Sequence, residues 1–418
     1  MSDILEQTYE KYLQYVNPGL AQLMKFADFG VEMRAEGMYV YDHTGRAYLD
    51  FLGGYGTFAL GHRHPRVVEA VKAQLDKMPL SSKVFFSSLV ADFCEALAKV
   101  LPGDLQYSFL CNSGTEAVEG ALKIARKYTG KHKFIATVGG YHGKSMGSLS
   151  ATGREQYRQP FYPLVPGFVH VPFGDVDAVA QEMDEDTAGI ILEPIQGEGG
   201  IFLPPDDYLP QLRQLCTERA ALLIVDEVQT GLGRTGSMFA VQHWGIQPDI
   251  ITLAKALGGG VVPSGVFSAT PPIWEQSFGD NPLIHTSTFG GNPLACAAGI
   301  ATLQVLQEEN LPARAAERGE QLLRGLNAVQ QEYPDVVTQV RGKGLMVGVE
   351  FSNEDVAKLV IGGMTRRGVI AAYTLNNPRV IRFEPPLIVS AEQIDTAVSI
   401  FAESVDESVK GLKALGLM

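Results

Sequence analysis

Apolar and polar positions divide the chain into three stretches. In Glu32 to Leu52 two short apolar runs flank Asp42-His43-Thr44-Gly45, a polar turn that closes on glycine, so the segment reads as a hairpin. Between about Gly61 and Gly290, short β-rich runs alternate with segments whose apolar residues recur at helical spacing. That alternation is the signature of a mainly parallel sheet with helices on both faces. The predicted strands are Tyr107 to Cys111, Lys133 to Thr137, Gly189 to Leu192, Ala221 to Val225, Ile250 to Leu253 and Gly265 to Ala269. From Pro293 a long helical stretch leads into alternating helices and strands, including Gly344 to Phe351 and Arg379 to Phe383. The expected organisation is α/β: a large domain over 61–300 and a smaller α+β domain over 301–418, to which the N-terminal segment over 1–60 also belongs. Neither a repeat nor a Pro/Ser-rich linker interrupts the chain, so the domains should pack against each other.

Charge and composition narrow the class. The 418 residues include 34 Lys+Arg and 47 Asp+Glu, a formal net charge of −13, which excludes a nucleic-acid binder on bulk charge. With 45% hydrophobic and 19% charged residues, the chain is too apolar for disorder and too evenly polar for a membrane protein. Even Ala221 to Val225 is stopped at once by Asp226 and Glu227. The amino terminus has no basic stretch followed by an apolar block, so export is not expected and a cytoplasmic location is. Cys94, Cys111, Cys216 and Cys296 are spaced too widely for a zinc site or a dense disulfide framework and read as buried thiols.

Two familiar patterns fail on inspection. Gly231-Leu232-Gly233-Arg234-Thr235-Gly236 fits G-x-G-x-x-G, but it does not follow its strand directly, and Met238 to Trp244 is a poor helix start. Gly143-Lys144-Ser145 resembles the end of a P-loop, yet Val138 stands where that loop needs glycine. A nucleotide-dependent ATPase keeps some support from the apolar run that ends in Asp226-Glu227, as a magnesium-binding strand does.

A third pattern is a constellation. Phe109 to Cys111 leads through Asn112-Ser113-Gly114 into a helix with Ala117, Ala121, Ile124 and Ala125 at helical spacing. A turn of this kind presents backbone N–H groups, hydroxyls and the helix dipole to a phosphate, although Ser113 or Thr115 could equally be an ordinary N-cap. Asp226 ends a strand that should be buried on both faces, so it needs a cationic or hydrogen-bonding partner, and a protonated pyridine nitrogen is one such partner. Lys255 follows the strand Ile250 to Leu253 and precedes Gly258-Gly259-Gly260, where a backbone can approach a ligand closely. Desolvation there would lower its amine pKa towards nucleophilic use. Taken together, phosphate cup, ring acid and amine are the three anchors that pyridoxal phosphate requires.

The runs LCNSGTEAVEGALKIAR, YHGKS, EPIQGEGG, VDEVQTGLGRTG, LAKALGGG, HTSTFGGNP and RFEPPL occur in that order. They resemble the ornithine/ω-amino acid branch, class III, of the fold-type I pyridoxal-phosphate aminotransferases, from about Asn17 past Pro386. The resemblance implies that Lys255 is the lysine bonded to pyridoxal 5'-phosphate and moves the substrate proton. It implies further that Asp226 pairs with the ring nitrogen, Gln229 with the ring hydroxyl, and Tyr141 with the ring face, with His142 beside it. Ser113, Gly114 and Thr115 would hold the phosphate, and Thr288 would complete that site in the partner subunit of a homodimer. Arg382 would bind the α-carboxylate of 2-oxoglutarate, with Glu198 covering it when a terminal amine enters, and Tyr55 would line the entrance. Lys144 stands where ornithine and acetylornithine aminotransferases have arginine. A lysine clamps a carboxylate at one point only, so the expected donor is a diamine, putrescine or cadaverine, with an ornithine derivative or another ω-amino acid as the alternative.

Overall fold

The computed structural model describes residues 2–26, 29–414 and 416. Strands β1 (Glu32–Glu36), β2 (Tyr39–Asp42) and β3 (Ala47–Asp50) form an antiparallel meander, so the predicted hairpin is its second half. Asp42 shapes the turn: its Oδ1 accepts from the backbone N–H groups of Thr44 and Arg46.

The central sheet comprises β4 (Tyr107–Cys111), β5 (Lys133–Thr137), β6 (Phe168–Val171), β7 (Thr187–Leu192), β8 (Leu222–Asp226), β9 (Ile250–Leu253) and β10 (Gly265–Ala269). Its order is β4-β10-β9-β8-β7-β5-β6, and β10 alone runs against its neighbours. Strands β7 and β8 are buried at every position, which is why they read as unbroken apolar runs rather than alternations. β8 extends one residue past the predicted Val225, because Asp226 pairs in register with Thr252. β6 was missed: it is a short edge strand, mostly half-buried, with no strong apolar run.

A third sheet is built from β11 (Val337–Lys343), β12 (Met346–Phe351), β14 (Ala372–Tyr373) and β15 (Val380–Phe383), while β13 (Val369–Ile370) leaves it to pair in parallel with β3. The two ends of the chain are therefore knitted together. Phe51 N–H donates to Ile370 O at 2.9 Å, Glu384 N–H to Phe51 O at 2.8 Å and Leu387 N–H to Ala59 O at 2.8 Å. The boundary expected at 300/301 falls inside the helix Pro293–Glu308, which packs against the helices Pro65–Lys77 and Ser88–Val100.

The strands that run the same way end on one edge of the central sheet, and the loops that follow β4, β5, β7, β8 and β9 all open there. Binding sites of doubly wound sheets lie at this carboxyl edge. Among the described residues no helix is long and apolar enough to cross a membrane. The four cysteines are free thiols, with Cys94 only half-buried.

Candidate active site

A cavity of about 720 Å³ opens at that edge. Of the residues singled out from the sequence, Ser113, Gly114, Thr115, Tyr141, His142, Lys144, Asp226, Gln229 and Lys255 line it. Glu198, Arg382 and Tyr55 form an adjoining group, with the Arg382 guanidinium 5.1 Å from the Tyr55 ring centroid. Thr288 lies apart, on an exposed loop of its own chain.

Each wall of the cavity has a local cause. Ser113 is in extended conformation and its Oγ accepts from Glu116 N–H at 3.3 Å, capping the helix Gly114–Thr129. The sixteen-residue helix points its positive end into the cavity, and its first N–H groups have no partner along the helix. Gly143, at φ +128°, lets the chain pass Thr115: a Cβ there would meet the Thr115 hydroxyl at 2.5 Å. Lys255 follows β9 in a left-handed conformation, φ +45°, a strained state of the kind that persists where surrounding structure imposes it. Burial pushes its amine pKa down, against the opposing pull of the Glu384 and Glu198 charges.

Asp226 is buried, and its Oδ1 accepts from Val228 N–H at 3.0 Å and Thr252 Oγ1 at 3.1 Å. Its Oδ2 lies 2.8 Å from His142 Nδ1. Burial alone would lower the His142 pKa, but the hydrogen bond and charge of Asp226 outweigh it and the net shift is upward. The neighbouring acid behaves differently. Glu227 turns away to accept from Ala240 N–H, Val241 N–H and Thr230 Oγ1, and burial pushes its carboxyl up to about 7. The two carboxylates do not converge as a magnesium pair would. Arg234, in the glycine-rich stretch, is buried on Leu345 O and Pro385 O, so that stretch fastens the C-terminal part of the chain rather than a dinucleotide.

Glu198 and Arg382 meet fork to fork: Nη1 donates to Oε1 at 2.7 Å and Nη2 to Oε2. Leu375 N–H adds a 2.7 Å bond to Oε2. Burial would raise the Glu198 pKa, but Arg382 holds it below the usual carboxylate range. Lys144 is exposed, with Nζ 4.3 Å above the Tyr157 ring.

Two carboxylates of this region were missed from the sequence. Glu193 lines the cavity, accepts from Tyr141 N–H at 2.8 Å and Gly197 N–H at 3.0 Å, and is pushed up to about 7 by burial. Its signal was the one that exposed Asp226, an acid at the end of a fully buried strand. Glu384 accepts from the Gln229 amide at 2.8 and 2.9 Å, and only its position beside Arg382 in RFEPPL hinted at it.

The residues fit pyridoxal phosphate. A helix amino end suits the phosphate, a buried carboxylate backed by His142 suits a ring N–H, and a desolvated amine suits the carbonyl. Such a cavity on a mainly parallel seven-stranded sheet defines a fold-type I pyridoxal-phosphate-dependent transferase. The model of the class-III aminotransferase family matches residues 27–405, and the chain belongs to that family. It is a pyridoxal-phosphate-dependent aminotransferase. Among solved structures it is similar to the ornithine aminotransferase of Toxoplasma gondii ME49, at 32% identity and TM-score 0.90 over 97% of this chain and 96% of that one. Another structure of the Toxoplasma gondii enzyme, at 32% identity and TM-score 0.87 over 97% and 99% of the two chains, has partial pyridoxal phosphate occupancy at its active site. The thermostable (S)-enantioselective ω-transaminase of Thermomicrobium roseum matches at 30% identity and TM-score 0.90, over 97% and 98% of the chains.

Proposed function

We propose that this aminotransferase moves the terminal amino group of a diamine, putrescine or its homologue cadaverine, to 2-oxoglutarate, giving an aminoaldehyde and glutamate in two half-reactions. The cofactor, when bound, supplies a carbonyl that condenses with amines and a ring that takes up electrons. Lys255 would hold its carbonyl end, Asp226 its ring nitrogen, Gln229 its ring hydroxyl, Tyr141 its ring face, and Ser113, Gly114 and Thr115 its phosphate. Lys255, its amine pKa lowered by burial, would take the proton from the reacting carbon and return it. Asp226 keeps the ring nitrogen protonated because its own buried charge needs a cation.

The observation that carries the substrate reading is the Glu198–Arg382 fork. Paired, it offers a terminal amine no free positive charge; opened, it offers a bidentate site to the α-carboxylate of the 2-oxo acid. Lys144, resting on Tyr157, supports a donor with no carboxylate at the distal end. An ornithine derivative is the second reading, favoured by the Toxoplasma gondii neighbour. Single-turnover absorbance with a panel of donors separates them. Putrescine or cadaverine should convert the cofactor faster than ornithine or acetylornithine, and acetylornithine as the fastest donor would overturn the diamine assignment.

The active unit is proposed to be a homodimer in the cytoplasm, with Thr288 of each chain serving the phosphate of its partner. Thr288→Ala should weaken cofactor retention by about 0.5–3 kcal/mol, the range of one hydrogen bond up to a charged acceptor. Full activity of a monomer in sedimentation at assay concentration would refute the shared site.

A further inference from the structure

Arg382 stands between two carboxylates, and they are held by different partners. Glu198 reaches it from the loop after β7. Glu384 lies 3.7 Å from the same Nη1 on the other side and is fully buried. The Gln229 amide holds both of its oxygens, and its backbone N–H is fixed on Phe51 O at 2.8 Å. Its carbonyl oxygen is packed so closely on Gly53 that a Cβ at that glycine would lie 2.1 Å away. Glu384 is thus held by two side-chain hydrogen bonds on a backbone pinned at both its N–H and its carbonyl.

Resting on the reading that Arg382 receives the carboxylate of the 2-oxo acid, we infer that Glu384 is a specificity-determining residue. It is a fixed anion that weakens the grip of Arg382 on any carboxylate attached to the reacting carbon. With Glu198 in place, one guanidinium already faces two carboxylates. A donor whose reacting carbon bears only hydrogens leaves this arrangement undisturbed. A carboxylate that displaces Glu198 must share Nη1 with a second anion where water screens little, and like charges so placed repel. The site therefore disfavours α-amino acids as donors, holds the 2-oxo acid acceptor less tightly than an unopposed arginine would, and spares terminal amines. Glu384 is also the charge that most opposes the downward shift of the Lys255 amine, so it acts on both reacting ends of the pocket.

Glu384→Gln tests this, because glutamine removes the charge at similar volume and keeps one of the two acceptor oxygens for the Gln229 amide. Glutarate, a dicarboxylate without the oxo group, is titrated into the cofactor-loaded enzyme by calorimetry. Binding should tighten by at least about tenfold, with a lower KM for 2-oxoglutarate and no fall in the KM for the diamine. A merely structural role would worsen both constants. In an Arg382→Gln background the gain should vanish. Unchanged or weaker glutarate binding by folded Glu384→Gln, or a gain that survives Arg382→Gln, overturns the inference. Glu384→Met removes the same charge at similar volume should the glutamine variant not fold. Glutarate binding is read with no amine donor present, so failure of the diamine assignment and failure of this inference give separate results.

Discussion

Lys255→Ala will abolish turnover while the chain still binds the cofactor. The ground is that Lys255 carries the buried amine of the cavity, its pKa pushed down by desolvation. The phosphate end of the cavity and the buried Asp226 are built by other segments, the helix Gly114–Thr129 and strand β8. Removing the side chain therefore deletes the proposed base and covalent anchor but leaves those two segments in place. A positioned base contributes about 10²–10⁴-fold, and loss of the anchor adds to that, so the fall should exceed the range for the base alone. Borohydride reduction of the loaded wild type followed by peptide mapping should fix the cofactor on Lys255, and the variant should bind it without fixation. Label on another lysine would end the assignment.

Arg382→Lys will split the two half-reactions. Lysine keeps the charge and loses the planar fork, so a carboxylate that gains two parallel bonds from Arg382 gains one from its replacement. The lost charge-assisted bond is worth about 1.5–3 kcal/mol, so the 2-oxoglutarate half-reaction should slow by about 10- to 100-fold. The amine half-reaction, in which Glu198 covers the cation, should change far less. The same substitution loosens Glu198 and Leu375, which now share the fork, and a modest fall in Tm is expected alongside. Equal damage to both half-reactions, measured by single-turnover absorbance, would remove Arg382 from carboxylate recognition.

Much of the site was legible because its pieces are local. A strand, a Ser-Gly turn and a helix follow one another over Tyr107 to Thr129, so the helix amino end that faces the cavity forms wherever that segment folds. Asp226 and Lys255 each announce themselves by standing at the end of an apolar run. Glu193 has the same mark and was passed over, since an acid at a strand end is commonly a cap. Glu384 has no local mark of its own. Its burial depends on Phe51, Gly53 and Gln229, which lie far from it along the chain.

By itself, the sequence determined the alternation of strands and helices, the near-continuous apolar runs of β7 and β8, and the strand ends at which Ser113, Asp226 and Lys255 stand. Those features follow from periodicity, capping and the cost of burying a lone charge, all of which act over a few residues. Only the tertiary structure decided which acids share the pocket. Asp226 faces His142 while Glu227, one residue on, caps a turn at Ala240, because successive residues leaving a strand end point to opposite sides. Likewise the pairing of β3 with β13, which brings Phe51 against Ile370 and Glu384, is fixed by which apolar faces of distant segments bury each other. No spacing along the chain encodes that choice.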